Sequence, residues 1–193
     1  MDQPGDLFVP LLHPQVRHAA DQYLRGIAWP EPLAAALAPL LARGSRAVTL
    51  GARGQWYHVH IHELTLFSQV LGRKGWIMAP HDVLARAAGG KHGLPVNSIA
   101  AVMQEDICGH FGLQPLGAAA ARGSRLGEDT AAAGNFTRRA LCCVLREGEG
   151  LLLPGNSYWN GWWHGTCNLD AWNVGHSLIA TGLDLAKSLE FSP

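Results

Sequence analysis

Three histidines alternate with other residues in QWYHVHIHELTLFSQVLGRKGW, residues 55–76, so His58, His60 and His62 share one face of any strand that carries them. Along a strand, His58 and His60 stand about 7 Å apart and can reach one ion. Imidazoles crowded onto one face need several buried partners, full exposure or a metal, and a metal satisfies them most economically. Neutral imidazole suits Fe(II), Zn, Ni or Cu. A third ligand has to come from another segment. His62 is placed at the rim of such a site, as a group that supports the ligands or touches substrate, whereas Glu63 points to the opposite face as a solvated charge.

The second concentration of chemistry is YWNGWWHGTCNLDAW, residues 158–172. Tryptophan is most often core, so at least two of Trp159, Trp162, Trp163 and Trp172 are expected to pack; the others can wall a pocket and select a flat or aromatic substrate. Asn156, Asn160 and Arg138 or Arg139 can supply polar contacts. Cys167 lies beside His164, Asn168 and Asp170, with His176 near, which raises a thiol hydrolase. Adjacency in sequence argues for it weakly, because nucleophile and base usually come from distant segments. His13, His18, His81, His92 and His110 are expected to be surface or hydrogen-bonded core residues.

The 193 residues carry 15 basic and 15 acidic side chains, so the long-range field that gathers nucleic acid or anionic membrane is missing. A small-molecule substrate is the expected partner, with no nucleic acid and no membrane. No window reaches 18 apolar residues and the N-terminus lacks a secretory pattern, so a cytoplasmic protein is expected. Cys108, Cys142, Cys143 and Cys167 form no CxxC pair, and reduced thiols are expected.

These residues need a frame. Residues 14–43 read as two helices, the second opened by WPEP and striped by Leu33, Leu37, Leu40 and Leu41. From Ser45 β-branched and aromatic residues with turn punctuation favour strands, and Gly72 and Gly75 mark a hairpin into GWIMAP. HDVLARAAGGKHG reads as a short helix and turn, and NSIAAVMQEDICGHFG as an amphipathic helix containing Cys108. PLGAAAARGSRLGEDTAAAGN has no buriable pattern and reads as a loop able to act as a lid. The expectation is one domain, mainly β within an α+β chain: N-terminal helices over 1–44, strands over 45–78, a helical insert and loop over 80–134, and strands over 135–193.

The spacing of HVH, four residues (IHEL), Thr65, six residues (LFSQVL) and Gly72 resembles the first motif of the cupin superfamily, with Thr65 where that motif carries Glu. GEGLLLPG, with Gly148, Pro154 and Gly155, and HGTCN, with His164 and Asn168, resemble the halves of the second motif, set several residues further apart. The resemblance implies a cupin-like double-stranded β-helix barrel with N-terminal helices and a helical insert. It implies a metal held by His58, His60 and His164 without a carboxylate, with Tyr57, His62 and Thr65 at the reacting centre and Trp159, Trp162, Trp163 and Asn168 around the substrate. Lacking an anionic ligand, that site keeps the full charge of a divalent ion and favours an anionic guest. Three-His iron sites resemble those of thiol dioxygenases, which makes an Fe(II) dioxygenase the first expectation and a cupin-type lyase or isomerase the second. A ligand-binding cupin without turnover and a homodimer through barrel strands are also carried forward.

GQWYHVHIH also resembles the histidine-triad nucleotide hydrolases, although Glu63 stands at an apolar position of that motif. A likeness to Tyr-dependent endonucleases that nick single-stranded DNA is opposed by the neutral charge; the tyrosines are Tyr23, Tyr57 and Tyr158. A 2-oxoglutarate mechanism is disfavoured because no Arg follows His164 to clamp the cosubstrate, Lys187 being the only cation there.

Overall fold

The computed structural model describes residues 7–10, 22, 35, 45–62, 64–87, 107–113, 139–154 and 161–180. Nine strands among them form two antiparallel sheets: β1 (Leu7–Pro10), β2 (Ser45–Gly51), β3 (Trp56–His62), β4 (Leu64–Leu71), β5 (Lys74–Pro80), β6 (Leu141–Leu145), β7 (Gly150–Leu153), β8 (Trp162–Asn168) and β9 (Asn173–Ala180). The five-stranded sheet runs β1-β2-β9-β4-β7 and the four-stranded sheet β3-β8-β5-β6.

The pairing is nested. β2 pairs β9, β3 pairs β8, β4 pairs β7 and β5 pairs β6, as if one long hairpin had been folded across itself. The additional pairs β4 with β9 and β5 with β8 close the two sheets. This double-sheet wrapping of eight strands, with β1 added at an edge, is the jelly-roll arrangement that cupins share.

The strands form where the residues suit them. β4 (LTLFSQVL) is buried along its first six positions because one face lines the interior and the other is also covered. The turn from β4 to β5 depends on Gly72, whose φ of 73° favours glycine and whose added Cβ would lie 2.3 Å from the Trp172 carbonyl oxygen. Two apolar clusters follow from the alternation. Phe67, Trp76, Met78, Leu145 and Leu153 fill the space between the sheets. Val59, Ile61, Ile77, Ala79, Trp163 and Cys167 lie on the outer face of the four-stranded sheet, covered by Ile107 and Cys108 with Phe111 and Leu113 alongside.

Several expectations need correction. Leu7–Pro10 is a strand paired with β2 rather than part of a helical terminus. The two helices at 14–43 lie outside the described residues, apart from Gln22 and Ala35, which are helical. Within the insert, α1 (His81–Ala87) is helical, while the described end of the proposed second helix is a turn and a 3-10 segment, Gly109–Phe111, closed by Gly112 in the left-handed region. Cys108 therefore stands in a turn. It is bonded to Cys167, contrary to the reduced thiols expected, because the turn brings the two Cα atoms to 5.2 Å. Gly75 sits within β5 rather than in the hairpin. No described helix is long and apolar enough to cross a membrane.

Candidate metal centre

β3 and β8 run side by side with His60 directly opposite His164. A bulge in β3 sets His58 and Val59 against the single residue Gly165, which re-aims the strand between Tyr57 and His60. The His60 and His164 rings meet edge to face at 4.3 Å between centroids, and the His58 ring lies 5.6 Å from that of His60. Tyr57 stacks on His58 at 4.7 Å and meets His60 edge-on at 4.8 Å. The imidazole at 164 thus comes from a distant hairpin to face those of β3.

The tautomers of the facing pair follow from their partners. His60 Nδ1 lies 2.7 Å from the His58 carbonyl oxygen and His164 Nδ1 lies 2.8 Å from that of Trp162. A carbonyl only accepts, so each Nδ1 carries the proton and each neutral ring has its lone pair on Nε2. Anchoring one ring nitrogen to a backbone carbonyl so that the other can ligate is the usual support of a metal-binding histidine. Burial holds the His58 imidazole below its ordinary value, which favours the neutral, ligating form. Among the described residues, no three His, Cys, Asp or Glu side chains gather as one ligand cluster.

The surroundings are aromatic and buried. Trp76 lies 5.7 Å from His164 and packs edge-on against Phe67 at 4.8 Å. Thr65 occupies the interior face of β4 two residues before Phe67 and is buried; its Oγ1 and the Trp76 Nε1 are buried polar atoms without a hydrogen-bond partner among the described residues. Native interiors rarely leave such atoms unsatisfied, and a ligand oxygen is one way to complete them.

Other expected residues separate. Trp162 is partly buried against the interior cluster. Trp163 faces the opposite way, into the outer core, where its Nε1 donates to His81 Nδ1 at 2.9 Å. Asn168 is buried at the far end of β8, opposite Lys74. The His62 main chain pairs with Trp162, and its side chain, like Trp159 and Glu63, lies outside the described residues.

The sequence reading missed Lys74. It follows the inward alternation of Trp76 and Met78, is 2% exposed, and brings Nζ to 3.3 Å from Thr49 Oγ1 and 5.3 Å from the Phe67 ring centre. The signal was legible as KGWIMAP, a lysine on the same face as two large apolar residues. No Arg follows His164, and this cation instead enters the interior from β5.

No family model and no curated protein sequence matches the chain. Solved structures similar to it include the Drosophila melanogaster CENP-C cupin domain (8% identity, TM-score 0.35, 70% of this chain and 59% of that one). Others are E. coli ycfD (15% identity, TM-score 0.46, 93% of this chain and 34% of that one) and an oxalate oxidase (14% identity, TM-score 0.35, 72% and 43%). The chain thus spans less than two thirds of each of these structures. Its own nested strand pairing defines a cupin-like jelly roll.

Proposed function

We propose that this protein is a metal-dependent enzyme that holds a divalent ion through His60 and His164, with His58 as third ligand, and acts on a small anionic molecule between the sheets. One observation carries the reading: two imidazoles from distant hairpins face each other in register, each with Nδ1 tied to a carbonyl. The donor set fits Fe(II), with Zn, Ni or Cu as competitors. Fe(II) bound there would supply oxidation of the substrate by dioxygen, making an Fe(II) dioxygenase the first choice; a lyase or isomerase uses the same ligands with a Lewis-acid metal.

The remaining residues have roles of their own. Lys74 provides positive charge inside the fold and attracts an anionic group entering it, which complements the preference of a carboxylate-free ligand set for anions. Phe67, Trp76, Met78 and Leu153 exclude water. Thr65 Oγ1 and Trp76 Nε1 supply hydrogen bonds to substrate oxygen atoms. Tyr57 braces His58 and His60 and fixes their orientation. With Lys74 as an interior cation, an acidic cosubstrate such as 2-oxoglutarate again belongs among the candidates.

Metal analysis of protein purified without chelator tests this. About one iron per chain, with oxygen uptake stimulated by an added carboxylic acid such as 2-oxoglutarate, supports the oxygenase; stoichiometric zinc or nickel with no oxygen dependence supports the lyase or isomerase. His60→Ala and His164→Ala should each weaken metal binding by about a hundredfold or more, beyond the 10–100-fold typical of outer ligand supports. Wild-type protein that takes up none of Fe(II), Zn, Ni or Co(II) overturns the reading.

A further inference from the structure

We infer that the Cys108–Cys167 disulfide is a positioning latch for the imidazole cluster, so that the oxidised chain is the form competent to bind metal; this rests on the metal-centre reading above. The observation is a chain of contacts running from the sulfur atoms to the bulge. Cys167 belongs to β8, three residues beyond His164, and both bonded cysteines are fully buried. The bond fixes the segment Ile107–Leu113 over the outer face of the four-stranded sheet, where two glycines make room for it. A Cβ added at Gly75 would lie 2.5 Å from the Phe111 ring, and one added at Gly165 would lie 3.0 Å from Ile107 Cδ1 and 3.1 Å from Val59 Cγ2. Ile107, next to the bonded Cys108, therefore sits where Val59 crosses Gly165.

That crossing is the β3 bulge. His58 and Val59 are the two residues set against Gly165, so whatever seats Val59 on the outer face also decides how the flanking His58 and His60 stand. The 3-10 segment returns two backbone hydrogen bonds to the Cys108 carbonyl, from Phe111 and Leu113, at 3.0 and 3.1 Å. The covering segment is thus organised around the bonded residue. The covalent tie removes the freedom of this cover to lift from the sheet. Forming the bond takes two protons and two electrons from the thiol pair, accepted by an exchanging disulfide that leaves as two thiols. The latch acts through Ile107 and Val59, and neither sulfur is a ligand.

The experiment compares oxidised wild type, wild type reduced with a phosphine under denaturing conditions and refolded, Cys108→Ser/Cys167→Ser, and Leu178→Ala as a control. Leu178 lies in the other sheet, buried, so its truncation lowers stability without touching the bulge. Co(II) absorption titrations are run well below each melting point, with amide exchange at Val59 and His60. Reduced and double-Ser proteins should bind Co(II) at least tenfold more weakly and exchange those amides faster, while Leu178→Ala keeps wild-type affinity despite its lower melting point. Unchanged Co(II) affinity in the double-Ser protein overturns the latch, as does an equal loss in Leu178→Ala. If wild type binds no Co(II), the metal reading fails, and amide exchange still decides whether the latch holds the bulge.

Discussion

The two faces of the four-stranded sheet carry alternate residues of the same strands and have been put to opposite uses. Val59, Ile61, Ile77, Ala79 and Trp163 face outward into an apolar cluster, where Trp163 donates to His81 and the Trp56 Nε1 alongside is buried without a hydrogen-bond partner among the described residues. His60, His164, Trp76, Met78 and Lys74 face inward, among aromatic rings, with a buried amino group and with the Thr65 Oγ1 and Trp76 Nε1 left without hydrogen-bond partners among the described residues. One face is arranged as a fold stabilised by packing requires. The other gathers imidazoles, an amino group and a hydroxyl where the first gathers aliphatic side chains, and the strand period of two is what lets both exist on one sheet.

The comparison breaks most sharply if the faces trade roles on mutation. Ile77→Ala should lower unfolding free energy by about 2–5 kcal/mol, the usual cost of truncating a fully buried aliphatic side chain. His60→Ala in metal-free protein should cost far less, because that ring is only partly buried. Co(II) affinity should fall in the reverse order. Denaturant unfolding of the apo proteins and metal titration of the same samples measure both; equal stability losses would show that the inner face also carries the fold.

How much of this was legible in the sequence depends on distance along the chain. The alternation HVHIH puts His60 and Val59 on opposite faces, and the pattern around His164 marks a second imidazole; both rest on local period and spacing, and the pairing of β3 with β8 sets the two rings opposite each other. The bulge was not legible, because it exists only against Gly165. Trp163 was expected beside the substrate but points outward, since neighbours on a strand alternate and His164 takes the inner position. Lys74 was overlooked because a lysine after a turn reads as solvated; only closure of the second sheet buries it. The disulfide was missed because 59 residues separate its ends, and spacing alone cannot reveal a pairing set by tertiary structure.

Lys74 allows a second test, of intermediate size. An amino group as buried as this one is costly to desolvate, so Lys74→Met should raise stability, by roughly 1–4 kcal/mol if it behaves like other exchanges of buried ionic groups for apolar ones. The same change should weaken binding of a probe dicarboxylate such as succinate by about 10–100-fold, the worth of one charge-assisted hydrogen bond. Calorimetric titration and thermal melting read the two effects separately. A variant that is less stable and binds succinate unchanged would mark Lys74 as a structural residue of the inner face.

The smallest effect belongs to the outer face and depends on pH. His81 opens α1, and its Nδ1 accepts the Trp163 indole hydrogen, which it can do only while that nitrogen is unprotonated. Burial holds this imidazole below its ordinary 6.5, with the neighbouring Asp82 carboxylate pulling the other way. Because the folded value is the lower one, the unfolded chain takes up the proton first as the pH falls. Stability is therefore unaffected above the ordinary value, declines as pH drops below about 6.5, and levels off once the folded imidazole also protonates. His81→Gln retains an acceptor for Trp163 but does not titrate, so its melting temperature should fall less than that of wild type between pH 7.5 and 5. Every other ionisable group is common to both proteins, so the difference between the two profiles isolates His81. Parallel profiles would mean that the Trp163 contact survives protonation and that the outer face, unlike the inner one, is indifferent to it.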